Sequence, residues 1–193
     1  MERTFESVMI EQCAPTLAGV KPASLFPWQS GDTQESVAHW ARKLAPFGIG
    51  LRILKSCSQT GSSLIYLYHA GWLHQILTDA DNRDFLSQMG YRLGKSCAGF
   101  LEQLSGRLCL KQSFPHEIGI FLGYPLEDVV GFIQHQGRNY TCCGCWKAYG
   151  DPVAAQKRFT HYRRCTEVYR RKFRAGTPIC HLVVDTRGSL LTA

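Results

Sequence analysis

The sequence predicts a single α+β domain in which a mixed or antiparallel sheet is packed with helices. Three observations carry that prediction. Helix-type and strand-type hydrophobic patterns alternate irregularly, unlike the regular strand–helix succession of a parallel α/β sheet. Two β-rich runs, Ile49–Lys55 and Ser63–His69, flank a polar loop containing Gly61, which is the pattern of a hairpin. Finally, 193 residues of which 45% are apolar suffice for one sizeable core and are too apolar for disorder. The domain is expected to span residues 1–193, with a core over about 8–186 and a loose C-terminal tail.

Each element follows from local chemistry. Cys13–Phe26 (CAPTLAGVKPASLF) reads as a short helical turn, with Pro15 in its first turn and Pro22 preventing a long continuation. Asp32 or Thr33 caps a helix whose apolar stripe is Val37, Trp40, Ala41 and Leu44, and Pro46 and Gly48 stop it. The hairpin follows. Trp72, Leu73, Ile76 and Leu77 predict a short helix. Asn82 caps a longer helical region that runs from Phe85 to Leu104 and bends at Gly90 and Gly94. Ile118, Ile120 and Leu122 alternate with Gly119, Phe121 and Gly123, so this run is expected to be a central strand covered on both faces. Pro125 opens a helix with Leu126, Val129, Val130 and Ile133 inward. Tyr140–Tyr149 reads as a further strand. Asp151 and Pro152 start a helix with the inward stripe Phe159, Tyr162, Cys165, Tyr169 and Phe173, ended by Gly176 and Pro178. Ile179–Val184 is expected to be the last strand.

Composition excludes several classes. No apolar run reaches the roughly 18–20 residues of a membrane helix. The N-terminus, MERTFESVMIEQ, carries acidic residues where a secretion signal needs a basic start, so a cytoplasmic location is expected. Lys and Arg number 22 against 15 Asp and Glu, a net charge of +7. Much of that charge lies in Gln156–Arg174, QKRFTHYRRCTEVYRRKFR, where Glu167 is the only acid. Such a basic helix is a solvated outer face or a surface for an acidic partner, anionic lipid or nucleic acid. No helix-turn-helix or RNA-recognition signature favours nucleic acid, and the interleaved aromatics recur at helical spacing, as a buried stripe does. The nine cysteines are an odd number in a chain without an export signal, which argues for free thiols rather than a disulfide framework.

The blocks CAPTLAG, FPHEIGIFLGYPLEDVVGFI and GCWKAYGDPVAAQKRF resemble the bacterial domain of unknown function 3793 family, found chiefly in clostridia and their relatives. The resemblance covers roughly Cys13 to Tyr169. It implies a cysteine at Cys13, at Cys143 and near Cys165, and a His-Glu pair at His116 and Glu117. Cys142 and Cys145 depart from the family pattern, an aromatic being usual at the position of Cys145. The family carries no assigned function, so the chemistry rests on the residues.

Two constellations suggest chemistry. In the first, Cys13 at a helix start feels unpaired N–H groups and the positive end of the helix dipole, which favour a nucleophilic thiolate. His116 on a later strand would act as acid and base, and Glu117 or Asn139 would orient its ring. Glu117 serves that site only if the strand begins after it, because strand neighbours point to opposite faces. Backbone N–H groups near Ala14 would hold the oxyanion, and the substrate would be a small acyl compound, an amide or thioester. The plainer reading makes Cys13 a small core residue and His116 a strand-end residue. In the second, Cys142, Cys145, His161 and Cys165 have a spacing that could surround a tetrahedral zinc. Iron or haem ligation among Cys13, His116, Cys143 and Cys165 is the remaining metal reading, and a redox pair at Cys142 and Cys145 would require a helix opening there.

Overall fold

A computed structural model describes residues 3–94, 96–110 and 114–188. Its centre is a three-stranded antiparallel sheet formed by β1 (Ala23–Gln29), β2 (Ile49–Ser56) and β3 (Ser62–His69), in the order β1-β3-β2. The predicted hairpin is β2–β3, and β1 pairs with the far side of β3 from Ala23↔Tyr68 to Gln29↔Ser62. Pro27 is compatible with β1 because that strand lies at an edge, where one row of N–H groups is unpaired. The chain is therefore α+β with an antiparallel sheet, as predicted.

Helices cover both faces of the sheet. Phe26, Trp28, Ile49, Leu51, Ile65 and Leu67 pack on α1 (Phe5–Leu17), α2 (Thr33–Leu44), the C-terminal half of α8 (Pro152–Arg174) and α9 (Ile179–Leu182). Leu25, Leu54, Leu64, Tyr66 and Tyr68 pack on α3 (Ala70–Thr78), α4 (Ala80–Gln88), α5 (Cys97–Leu110), α6 (Ile118–Phe121) and α7 (Leu126–Gln134). The register shift between Ile53 and Lys55 is a bulge, and Leu54 within it packs on the second of these faces. The central strand is thus β3, bounded on both sides, with Ile65, Tyr66 and Leu67 fully buried.

Several predicted elements are corrected. The expected central strand at 118–123 is the short helix α6, all four of whose residues are buried. An all-apolar run enclosed on every side has no period to distinguish helix from strand. Gly119 suits the enclosure, because a Cβ there would lie 2.7 Å from Val129 Cγ2. The long helix expected from Asn82 is two helices. Asp79 accepts from Asn82 N (3.0 Å) to cap α4, and the break falls at Gly90 and Gly94, both at positive φ. The strand expected over 140–149 is a small hairpin of β4 (Cys142–Cys143) and β5 (Lys147–Ala148). Where a last strand was expected, Pro178 starts helix α9. Cys13–Phe26 divides between the end of α1 and strand β1. By contrast, α2, α3, α7 and α8 occupy their predicted places, and Asp151 caps α8 through Val153 N (2.8 Å).

The C-terminal segment is pinned as far as Thr186. Val184 N donates to Leu17 O (2.9 Å), and the buried His69 holds Thr16 O (2.6 Å) with Nε2 and Thr186 Oγ1 (2.7 Å) with Nδ1. The tail expected to be loose falls largely on residues 189–193, outside those described. The Thr16 carbonyl can only accept, so Nε2–H donates to it, and in the neutral ring Nδ1 accepts from the Thr186 hydroxyl. Burial lowers the His69 pKa, against the opposing bond to Thr16. The unfolded chain therefore takes up a proton before the folded one does. The resulting stability is complete above the unfolded value of about 6.5 and is lost as pH falls toward the folded one. Thermal melts should show Tm falling as pH drops below about 6.5, and H69Q should flatten that slope. A wild-type Tm that stays level across that range would contradict the account.

Candidate active site

The proposed Cys13–His116 centre is not assembled as the sequence suggested. α1 begins at Phe5, with Thr4 capping through Ser7 N (3.2 Å), so Cys13 lies in the C-terminal half of the helix and not at its start. Pro15 is inside α1 near its end, not in the first turn. Cys13 has no exposed surface and belongs to the core between α1 and the sheet. Burial pushes its thiol up to about 12, outweighing the charge of Lys21 and a hydrogen bond with Ser24. Its surroundings favour the thiol over the thiolate.

Adjacent in sequence, His116 and Glu117 serve different places. Glu117 is buried, accepts from Arg107 Nη1 (3.2 Å) and Tyr91 OH (3.4 Å), and anchors α6 to α5. It does not orient His116. The His116 ring is exposed and packs against Phe132 of α7 at 4.8 Å and Phe114 at 6.2 Å. Asn139 is an exposed turn residue with φ of 57°.

Nor do the zinc candidates converge. Cys142 is buried among Ala148, Ala155 and Phe159. Cys145 lies in the turn between β4 and β5, and His161 is on the exposed side of α8, in a groove with Lys157 and Arg164. Cys165 is half-buried, which pushes its thiol up to about 11. Among the described residues no three His, Cys, Asp or Glu side chains form a group that could hold a metal ion. That finding also covers the iron reading of Cys13, His116, Cys143 and Cys165. The turn carrying Cys145 does not open a helix, as a thioredoxin-type pair would. The α8 stripe faces inward: Phe159 is buried, and Tyr169 and Phe173 pack on the core beside α1. These rings are not presented for base stacking.

What the fold does bring together is the β4–β5 hairpin, α7 and the turn before α6. The organiser is Asp128, a buried carboxylate on α7. It accepts from Trp146 Nε1 (2.7 Å), Tyr149 N (2.6 Å) and Gly150 N (3.0 Å), and so fixes the hairpin on the helix. Gly144 allows the hairpin turn to approach α8, since a Cβ would meet the Phe159 ring at 2.2 Å. The result is a cavity of about 420 Å³ whose lining includes His116, Cys143, Cys145, Lys147, Phe132 and Trp146. Cys143 stands opposite Lys147 across the hairpin. The Lys147 ammonium donates to Gly137 O (2.7 Å) and lies 5.0 Å from the Tyr140 ring, leaving donors to spare.

A second cleft, of about 530 Å³, adjoins the first and shares Leu122, Tyr124 and Cys145 with it. It runs between α1 and α8. Lys21 lines it, with Nζ 5.6 Å from the Tyr124 ring and 6.0 Å from the Tyr162 ring. Burial lowers the Lys21 pKa, against the opposing influence of Cys13 and Cys145. Burial also holds Tyr124 up at about 12 and raises Tyr162. Cys145 is raised by burial, with Lys21 and Arg163 pulling the other way.

Sequence reading missed Lys21, Asp128, Lys147 and the aromatic walls. Asp128 had a signal, being an acid on the apolar side of an otherwise amphipathic helix. Lys21 had none, because a single lysine between two turns carries no local pattern.

A family model for a protein of unknown function, DUF3793, matches residues 9–183. None of the curated proteins and none of the solved structures matches the chain.

Proposed function

The chain belongs to the DUF3793 family, whose description assigns no function, and from that premise we propose a thiol enzyme that transfers or hydrolyses small acyl groups. Cys143 is the nucleophile and His116 the acid and base. The observation that carries this reading is that both side chains line one cavity of about 420 Å³. The nucleophilic role expected of Cys13 passes to Cys143, a cysteine exposed to solvent where Cys13 is sealed.

The chemistry follows from the lining. His116 takes the Cys143 proton, and the sulfur attacks the carbonyl carbon of an ester, thioester or activated amide. The protonated imidazole then gives that proton to the leaving group, and an acyl-cysteine remains. Water, deprotonated by His116, or a second nucleophile releases the acyl group. The Lys147 ammonium, opposite Cys143 across the hairpin, favours the negative charge that develops on the carbonyl oxygen. The aromatic walls, Phe132 and Trp146, suit an apolar acyl chain.

Limited alkylation tests the reading. At neutral pH, a low dose of iodoacetamide should modify Cys143 first, as mapped by peptide mass spectrometry, while Cys13 stays unmodified in the folded protein. Pre-incubation with p-nitrophenyl butyrate should leave a butyryl group on Cys143 and protect it from the reagent. Uniform, slow modification of every accessible thiol, with no acyl adduct, would sink the proposal.

A further inference from the structure

Lys21 is partly buried just before β1. No carboxylate lies within ion-pair distance of it and no hydrogen-bond acceptor meets its Nζ among the described residues. It projects instead into the second cleft, between the Tyr124 and Tyr162 rings. Arg163 lines the same cleft, also without an ion-pair partner among the described residues, whereas Arg170 is engaged with Glu11 at 3.8 Å.

We propose that Lys21 is a reactive amine that forms an imine with a small, planar, anionic carbonyl compound held between Tyr124 and Tyr162. The two rings offer apolar faces to a conjugated aldehyde or ketone. Arg163 offers its guanidinium to a carboxylate or phosphate on the same molecule. Burial favours the uncharged, nucleophilic form of the amine. In the reaction the Nζ lone pair attacks the carbonyl carbon and a C–N bond forms. The carbonyl oxygen leaves as water with the two amine hydrogens, and a C=N bond remains. No oxidant or reductant is consumed. The cleft touches the thiol cavity through Tyr124 and Cys145, but the inference does not depend on Cys143.

Pyridoxal 5′-phosphate is a suitable probe because it is planar, anionic and an aldehyde. The full chain is treated with it at neutral pH, reduced with borohydride to fix the imine as a secondary amine, and mapped by mass spectrometry. Lys21 should be modified several-fold faster than the exposed Lys43, Lys157 and Lys172, because the cleft holds the aldehyde beside it and burial raises its free-amine fraction. With pyridoxal lacking the phosphate, which reacts more slowly with all amines, the ratio of the Lys21 rate to the exposed-lysine rates should fall. K21M should lose the fast phase, and C143S should keep it, which separates this inference from the thiol reading. Modification of Lys21 no faster than of the exposed lysines would overturn the proposal without any variant needing to fold. The same ratio with pyridoxal and its phosphate would overturn the anionic character of the ligand.

Discussion

Arg107→Ala is expected to destabilise the fold by about 3–5 kcal/mol, the typical cost of removing one partner from a buried ion pair. Arg107 is the ion-pair partner of Glu117, whose side chain is only 2% exposed against 17% for the arginine. The same guanidinium donates to Met89 O (2.8 Å) and lies 4.1 Å from the Tyr91 ring. One side chain thus joins α5, the end of α4 and the turn before α6. Its loss leaves a buried carboxylate stranded beside Tyr91, whose hydroxyl at 3.4 Å is too weak a partner to compensate. For a domain of this size the Tm should drop on the order of 10 °C. The double variant R107M/E117L, which removes both charges and keeps apolar volume, should recover much of that loss. Denaturant titration of the two variants checks both statements. A midpoint for Arg107→Ala indistinguishable from the native one would show that the pair does not hold α6.

His116→Ala is expected to slow turnover of p-nitrophenyl butyrate, and alkylation of Cys143, by about 10²–10⁴-fold, the usual contribution of a general base. The fold should be little affected, because His116 is exposed and surface substitutions mostly stay within about 0.5 kcal/mol. The pH dependence separates a chemical role from a packing one. The pH profile of Cys143 alkylation in the native protein should not be reproduced by the variant. Added imidazole should restore part of the lost rate. Cys143→Ser should abolish acyl transfer, whereas Cys13→Ala should leave the rate intact, since Cys13 has no exposed surface. Native rates in His116→Ala, with an unchanged pH profile, would remove His116 from the mechanism.

Elements with a complete local pattern were legible in the sequence. The stripe of α2, the paired runs of β2 and β3, and the cap, proline and apolar spacing of α8 each specify one structure from neighbours within a few residues. The run Ile118–Gly123 was not legible, because enclosure by α3, α7 and the sheet erases the contrast between faces on which periodicity depends. The start of α1 was obscured by Pro15, which resembles a helix opener although it stands near the helix end. That misplacement carried the Cys13 reading with it. The candidate site was half visible: His116 stood out as a polar residue at the mouth of an apolar run, but its companions did not.

The sequence by itself determined the α+β class, the hairpin at the heart of the sheet, the basic exposed face of α8 and the abundance of free thiols. These depend on composition and on patterns repeated within one turn or one strand. Only the tertiary structure decided that Cys13 is sealed in the core, that Glu117 belongs to Arg107, and that His116 shares a cavity with Cys143. The physical reason is that reactivity depends on burial and on neighbours distant in the chain. Asp128 draws the β4–β5 hairpin onto α7 across some twenty residues, and no local pattern records where such a contact will close.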